Sequence, residues 1–218
     1  MTTSGMSERT RESRDLWERR YAAAAADASP LWSAGPNAWV EAQATDLTPG
    51  RAADVGAGEC RNALWLASRG WEVEAVDFSP SGLAAGQQRA AALGLVVTFT
   101  EADATTWQAD PPVDLVVMAY LQLPVDDTVT AVRSALLSLA PGGRLLLVAH
   151  DRDNLTRGVG GPQDPALLTT GAELRAAVAG LHRQGDGRQI EVLECGQVDR
   201  PLDDGRVAID VVLVSDRV

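Results

Sequence analysis

The chain contains no lysine: its 19 basic residues are all arginine, against 30 acidic ones, for a net charge of −11. The missing lysine reads as composition bias, but the deficit of positive charge has a physical consequence. Nucleic acid is gripped through its phosphates by basic surface, so this balance argues against DNA or RNA as a partner. Cysteine is scarce as well. Cys60 and Cys195 are the two present, with no disulfide framework and no metal-ligand spacing, which points to a reduced cytoplasmic setting and to no metal site. Long apolar runs are also missing. The longest near the start, Ala22–Ala26, is far too short for a signal-peptide core or a membrane span, so no membrane partner is expected. Aromatic residues are few, and four of them fall in the first forty positions: Trp39 and the cluster Trp17, Tyr21 and Trp32.

What the chain does have is alternation of strand-like and helix-like segments. At 218 residues one α/β domain is the natural expectation, burying about 70% of its unfolded surface. Residues 1–11 are polar and read as a disordered tail. A helix is predicted over Glu12–Ala26, with Trp17 and Tyr21 on one face, and Ser29-Pro30 breaks it. A short helix Asn37–Asp46 follows, and Thr48-Pro49-Gly50 turns into strand Arg51–Val55. Helix Asn62–Arg69 and strand Val73–Val76 come next. Ser79-Pro80 is a cap and first-turn pair for a helix to Leu93, stopped by Gly94. Strands are predicted at Val96–Thr100, Val113–Ala119 and Arg144–Ala149. Between the last two, Val129, Val132, Leu136 and Leu139 recur at helical spacing. Thr170-Gly171-Ala172-Glu173 is a capping box for a helix to Leu181. Gln189–Gln197 and Val207–Ser215 flank the hairpin turn Asp203-Asp204-Gly205. Strands alternating with helices predict a doubly wound, mostly parallel sheet.

The stretch Asp54-Val55-Gly56-Ala57-Gly58-Glu59-Cys60-Arg61-Asn62 carries the most chemistry. A strand that turns through two glycines into a helix brings backbone N–H groups and a helix N-terminus up to a ligand. Gly56 and Gly58 permit close approach and dihedrals that a Cβ would forbid. Asp77 ends the next apolar run nineteen positions after Gly58, where a carboxylate can take both hydroxyls of a ribose. An adenosyl cofactor fits this pattern. A dinucleotide fingerprint has a third glycine where this chain has Arg61. The acid at Asp54 would repel a pyrophosphate and suits a cationic ligand.

This pattern resembles class I S-adenosylmethionine-dependent methyltransferases, and the resemblance runs over residues 50–215. Glu101-Ala102-Asp103-Ala104 follows the third strand, where that family sets an acid against the adenine amino group. Pro141-Gly142-Gly143 precedes strand five, and the C-terminus offers the family's antiparallel hairpin. The implied fold is α/β: a doubly wound, mostly parallel seven-stranded Rossmann-like sheet with a C-terminal antiparallel hairpin. The implied cofactor is S-adenosylmethionine, with Asp54, Gly56, Gly58, Asp77, Phe78, Asp103, Ala104 and Ala119 around it. Arg61 and Asn62 face the methionine carboxylate in this reading, or simply cap the helix. Cys60 departs from the small residue usual at its position and reads as a buried filler. Residues 12–48 look like the N-terminal lid of the tellurite-resistance and thiopurine methyltransferases, so Trp17 and Tyr21 either close over the cofactor or anchor a helix at the sheet edge. Residues 49–218 form the methyltransferase domain.

The sulfonium is already an activated electrophile, so alignment and exclusion of water are the main requirements, and a base is needed only for an acceptor that loses a proton. The expected acceptor is a small molecule methylated at O, N or S, with the protein a monomer or homodimer. After strand four the chain reads Met118-Ala119-Tyr120-Leu121, without the Asn/Asp-Pro-Pro-aromatic run of enzymes acting on exocyclic amines. The shortage of paired cysteines argues against arsenic methylation. Pocket walls are expected from Tyr120–Gln122 and His150–Leu155, at carboxyl ends of strands. His150 is the leading candidate base, with Tyr120 and Asp151 next. Two rival readings are a non-catalytic S-adenosylmethionine-binding protein and an NAD-dependent oxidoreductase.

Overall fold

The computed structural model describes residues 6–27, 29, 31–33, 35–182 and 189–218. Its centre is a seven-stranded sheet in the order β3-β2-β1-β4-β5-β7-β6. The strands are β1 (Arg51–Val55), β2 (Glu72–Asp77), β3 (Thr98–Glu101), β4 (Val113–Ala119), β5 (Leu139–His150), β6 (Ile190–Pro201) and β7 (Val207–Arg217). Strands β1 to β5 are parallel, whereas β7 runs antiparallel to β5 and β6 antiparallel to β7. The expected fold class is therefore what the chain adopts. Around the sheet lie α1 (Glu8–Ala26), α2 (Ala38–Ala44), α3 (Arg61–Ser68), α4 (Pro80–Leu93), α5 (Val125–Leu137), the short α6 (Asn154–Arg157) and α7 (Gly171–His182).

Side chains alternate across a strand, so each central strand feeds two cores. Ala53, Val116, Leu145 and Val211 pack with α5 and α7, while Ala52, Leu115, Leu146 and Val212 pack with α2, α3 and α4. Both faces of the sheet are covered, as a parallel sheet requires. Local signals set the helix ends. Ser79 accepts from Gly82 N, and Gly94 stops α4 in the left-handed region at φ +66°. Glu173 accepts from Thr170 N at 2.9 Å and closes the capping box.

Several boundaries differ from expectation for identifiable reasons. The first helix starts at Glu8, inside the segment read as a disordered tail, because Ser7 caps it by accepting from Thr10 N. Ser7 and the buried Thr10 also donate to Asp127, which ties this turn to α5. Residues 1–5 and Pro30 lie outside the described residues. Leu139 is not the last helical residue but the first of β5, paired with Val113, so the Pro141-Gly142-Gly143 segment lies within that strand's span. Helical spacing cannot distinguish these two uses of a buried leucine. The second hairpin strand runs to Arg217, two residues past the expected Ser215.

Candidate functional site

The cleft forms where β1 and β4 end, the point at which the chain's course across the sheet reverses. It encloses about 590 Å³ of space open to solvent. Trp17, Tyr21, Gly56, Arg61, Asn62, Asp77, Phe78, Ala119 and Tyr120, all expected site residues, line it, joined by Trp32, Ala57, Leu121 and Gln122. A second recess of about 200 Å³, sharing Gly56, Asp77, Phe78 and Leu121 with it, is completed by the apolar Val76, Ala102 and Ala104. A flat aromatic base fits that chemistry, with Phe78 as one wall.

The glycine loop is held from inside. Gly56 N and Ala57 N both donate to Val76 O, Cys60 N to Ala57 O, Gly58 N to Asp77 Oδ2, and Ala63 N to Asp54 Oδ2. These N–H groups therefore cannot cradle a pyrophosphate. Asp54 is 1% exposed and its Oδ1 meets no partner among the described residues. Burial pushes its carboxyl up to about 7, against the Ala63 bond and the nearby Arg61 charge. A buried carboxylate oxygen without a partner is expensive; the Asn62 side chain also favours the ionised form of this carboxyl, and neither Asp54 nor Gly58 is among the residues that line the cleft.

Asp77 is not the unpaired cleft acid that a purely ligand-facing role suggests. Both oxygens are used, Oδ2 by Gly58 N and Oδ1 by Ser79 N, each at 2.8 Å. Burial still raises its carboxyl to about 6, because those bonds only partly offset the lost solvation. Each carboxylate oxygen keeps a further lone pair for a ligand hydroxyl. Asp103 stands half-buried after β3 and accepts from Thr105 N; it lines neither space, although its neighbour Ala104 does.

Cys60 explains itself geometrically. Its φ is +63°, a left-handed conformation that favours glycine, and it is fully buried. Its side chain fits because the facing helix carries Gly86, where a Cβ would sit 2.4 Å from Cys60 Sγ. Burial and the neighbouring acids push the thiol up, so it is a filler.

The N-terminal segment reaches over this loop. A Cβ on Gly58 would lie 2.3 Å from Tyr21 Oη, so the tyrosine rests on the loop itself. Trp17 sits 5.6 Å from the Tyr21 ring and 6.1 Å from Trp32, and the Trp32 indole donates to Tyr21 Oη. Two acids hold the segment down, and neither stood out in the sequence. Glu18 accepts from the hydroxyls of Ser79 and Ser81 at the start of α4. Glu59, buried within the loop, accepts from Leu31 N and Trp32 N. Glu18 had one usable signal: it lies between Trp17 and Tyr21, on a helix whose aromatic face was evident.

At the other end of the cleft the three candidate bases fare differently. Tyr120 lines the cleft and holds φ +56°, rare for a bulky residue. His150 does not line it; its ring packs on Tyr120 at 4.7 Å between centroids. Asp151 does not line it either. It is buried, and its Oδ1 accepts from Gln197 Nε2 and Asp153 N, which makes it part of the strand-end framework. The reason is registry: β5 ends at His150, and the chain turns at once into an Asp151–Thr169 bridge. Two further residues, Asp210 on β7 and Arg200 on β6, surround Tyr120 and His150. Tyr120 Oη and Arg200 Nε each donate to Asp210 Oδ2 at 2.7 Å, and His150 Nδ1 faces Asp210 Oδ1 at 3.1 Å. No pattern in the sequence singled them out.

Comparisons with known proteins agree with this geometry. Residues 52–143 match the family model described as a methyltransferase domain. Over 108 residues the chain is 37% identical to demethylmenaquinone methyltransferase of Thermus thermophilus, covering 48% of this chain and 49% of that protein. The chain thus matches about half the length of that curated relative. TehB from Haemophilus influenzae superposes with a TM-score of 0.67 at 18% identity, over 94% of this chain and 67% of that one. Magnesium protoporphyrin IX methyltransferase from Synechocystis, solved with S-adenosylmethionine bound, gives 0.59 at 16% identity, over 100% and 87%. At such identities the structural likenesses establish the fold. No helix of the described residues is long and apolar enough to cross a membrane.

Proposed function

We propose that this chain, part of which matches a methyltransferase domain and whose fold is shared with such enzymes, is a class I S-adenosylmethionine-dependent methyltransferase that methylates an oxygen, nitrogen or sulfur atom of a small molecule. Its cofactor is S-adenosylmethionine. The observation that carries this reading is the loop itself: the N–H groups of Gly56, Ala57, Gly58 and Cys60 are already bonded, whereas the buried Asp54 Oδ1 is not. That polarity suits an ammonium and a sulfonium, and it opposes the pyrophosphate of NAD. The oxidoreductase alternative is thereby the weaker one.

In this reading Asp77 takes the ribose hydroxyls, and Phe78, Ala102, Ala104 and Leu121 enclose the base, with Asp103 at its rim. Asp54 balances the charge of the amino group and Arg61 that of the carboxylate. Arg61 is free to do so, since it makes no ion pair among the described residues and leans on the Trp32 ring at 5.7 Å. When bound, the cofactor supplies a methyl group already activated by the sulfonium. The chain's task is then to align an acceptor between Tyr120 and Gln122 and to keep water out. We assign the second task to residues 12–48 together with the turn that precedes them, acting as a lid through Trp17, Tyr21 and Trp32. The protein works in the cytoplasm as a monomer or homodimer, without nucleic acid.

Calorimetry tests the cofactor. S-adenosylmethionine and its demethylated product should bind and NAD should not at equal concentration; tight NAD binding alone would end this reading. Release of the demethylated product with a panel of small phenols, amines and thiols separates an enzyme from a non-catalytic binding protein.

A further inference from the structure

The hairpin strand β7 lies antiparallel to β5 in a register that pairs Asp210 with His150. Asp210 is 1% exposed, and all its neighbours of opposite character come from other strands. Its Oδ2 is shared by the Tyr120 hydroxyl and the Arg200 guanidinium. Its Oδ1 faces His150 Nδ1 at 3.1 Å, without the alignment of a full hydrogen bond, and neither atom has another partner. Two buried polar atoms thus look only at each other. Burial opposes ionisation of Asp210, but the contacts with His150, Arg200 and Tyr120 outweigh it and hold the carboxyl below the usual range.

We propose that Asp210 is a positioning residue that holds the His150 imidazole as its Nδ1–H tautomer, so that Nε2 takes the proton of an O–H or N–H methyl acceptor. This rests on the methyltransferase reading and deepens it. An imidazole beside an ionised carboxylate has one sensible arrangement, with its proton on the facing nitrogen; the lone pair then lies on the other. As the acceptor's lone pair forms the new bond to carbon, the carbon–sulfur pair stays on sulfur. The electrons of the acceptor's X–H bond return to X as its proton moves to Nε2. The resulting imidazolium is stabilised by Asp210, which stays ionised because Arg200 and Tyr120 occupy its other oxygen. Apo geometry of this kind is commonly loose and tightens when charge develops. Nε2 lies next to the loop after β5, where a Cβ on Gly161 would come within 3.0 Å of it. Glycines at φ +72° and +73° let that loop pass over the ring. His150 itself does not line the cleft, so in this proposal the acceptor approaches Nε2 from the Tyr120 side, past the ring that packs on the imidazole.

Asp210→Asn discriminates sharply. Tyr120 and Arg200 both donate to the Oδ2 position, so they pin the amide oxygen there and turn its NH2 toward His150 Nδ1. The imidazole must then accept at Nδ1 and carry its proton on Nε2, which disables the base. The chain has two histidines, so nitrogen-15 NMR of labelled imidazoles reads the tautomer directly, with no acceptor required. The expected result is Nδ1–H for His150 in the native protein and Nε2–H in Asp210→Asn. An Nε2–H tautomer in the native protein overturns the proposal. Turnover of phenol should fall at least a hundredfold in Asp210→Asn and in the milder His150→Gln, with no further loss in the double variant. Thiophenol, already ionised in mildly alkaline buffer, should lose less than threefold; equal losses for both would also overturn it. Calorimetric binding of S-adenosylmethionine should be unchanged in both variants. Its absence from the native protein would instead count against the methyltransferase reading, leaving the tautomer result to stand on its own.

Discussion

The two ends of the cleft are built from contacts of different reach. At the glycine loop, the bonds that hold the acids span 19 residues for Gly58–Asp77, nine for Ala63–Asp54 and two for Ser79–Asp77. At the strand ends, Tyr120 meets Asp210 across 90 residues. The first end is one βαβ unit whose turn, helix start and second strand follow each other in the chain. The second is assembled from four strands, two of which arrive only with the terminal hairpin. One consequence is that binding and folding are entangled at the first end, because the groups offered to a ligand also tie the backbone. At the second end they are less entangled, because the buried network ties side chains of separate strands and not the backbone of the glycine loop, although Tyr120 lines the same cleft.

The largest expected effect tests that entanglement. In the proposed reading Asp77→Ala removes two ribose bonds worth about 1.5–3 kcal/mol each, so cofactor affinity should drop at least a hundredfold by calorimetry. The same change strands Gly58 N and Ser79 N, so the apo protein should also melt several degrees lower. An unchanged melting temperature would mean that the two bonds contribute nothing to the fold, and the comparison would fail.

The next effect is pH dependence. Asp54 titrates at about 7 in the folded chain and Asp77 at about 6, both raised by burial. Each binds protons more tightly folded than unfolded, so its contribution to stability is complete below about pH 4 and is lost as pH rises through the folded value. Apo melting temperature should therefore fall between pH 5 and 7.5, apart from any opposite trend at lower pH from the depressed Glu18, Glu173 and Asp210. Cofactor affinity should move the other way, rising by up to about tenfold per pH unit below 7, since a cation favours ionised Asp54. Asp54→Asn should flatten that rise; a pH-independent affinity in the native protein would show that Asp54 carries no ligand charge.

A smaller effect probes the lid. Glu18→Ala removes the anchor on Ser79 and Ser81 and should speed release of the demethylated cofactor severalfold in stopped-flow tryptophan fluorescence, with little change in the melting temperature. Identical release rates would reduce α1 to scaffold.

The smallest net effect is a paired substitution. Gly86→Ala alone should destabilise by about 1–3 kcal/mol through overpacking on Cys60. In a Cys60→Gly background the same change should be neutral or stabilising, because the clash with Sγ disappears and only the Phe99 ring, 3.3 Å from the new Cβ, has to give slightly. A double-mutant cycle in urea measures the coupling, and additivity would show that the two positions do not share this space.

The sequence by itself determined the order of strands and helices, the two-glycine turn with Asp54 and Asp77 around it, the caps at Ser79 and Thr170, and the aromatic face of the first helix. Those features are local: each depends on dihedral preference, capping or periodicity within a few turns of chain. It also placed Tyr120 and His150 at strand ends, since a strand's end is visible as the end of an apolar run. What only the tertiary structure decided is who meets whom across the sheet. Asp210 lies opposite His150 because an antiparallel strand entered at the far side of β5 in one register, and a slip of one residue would have turned its carboxylate to the other face. Glu59 holds Trp32, and Tyr21 covers Gly58, because α1 packs over a loop formed later in the chain. Leu139 joined β5 for the same reason, its apolar side chain satisfying either element until Val113 supplied the pairing. Registry and packing between distant segments leave no local pattern, and the chemistry at the far end of this cleft is built from them.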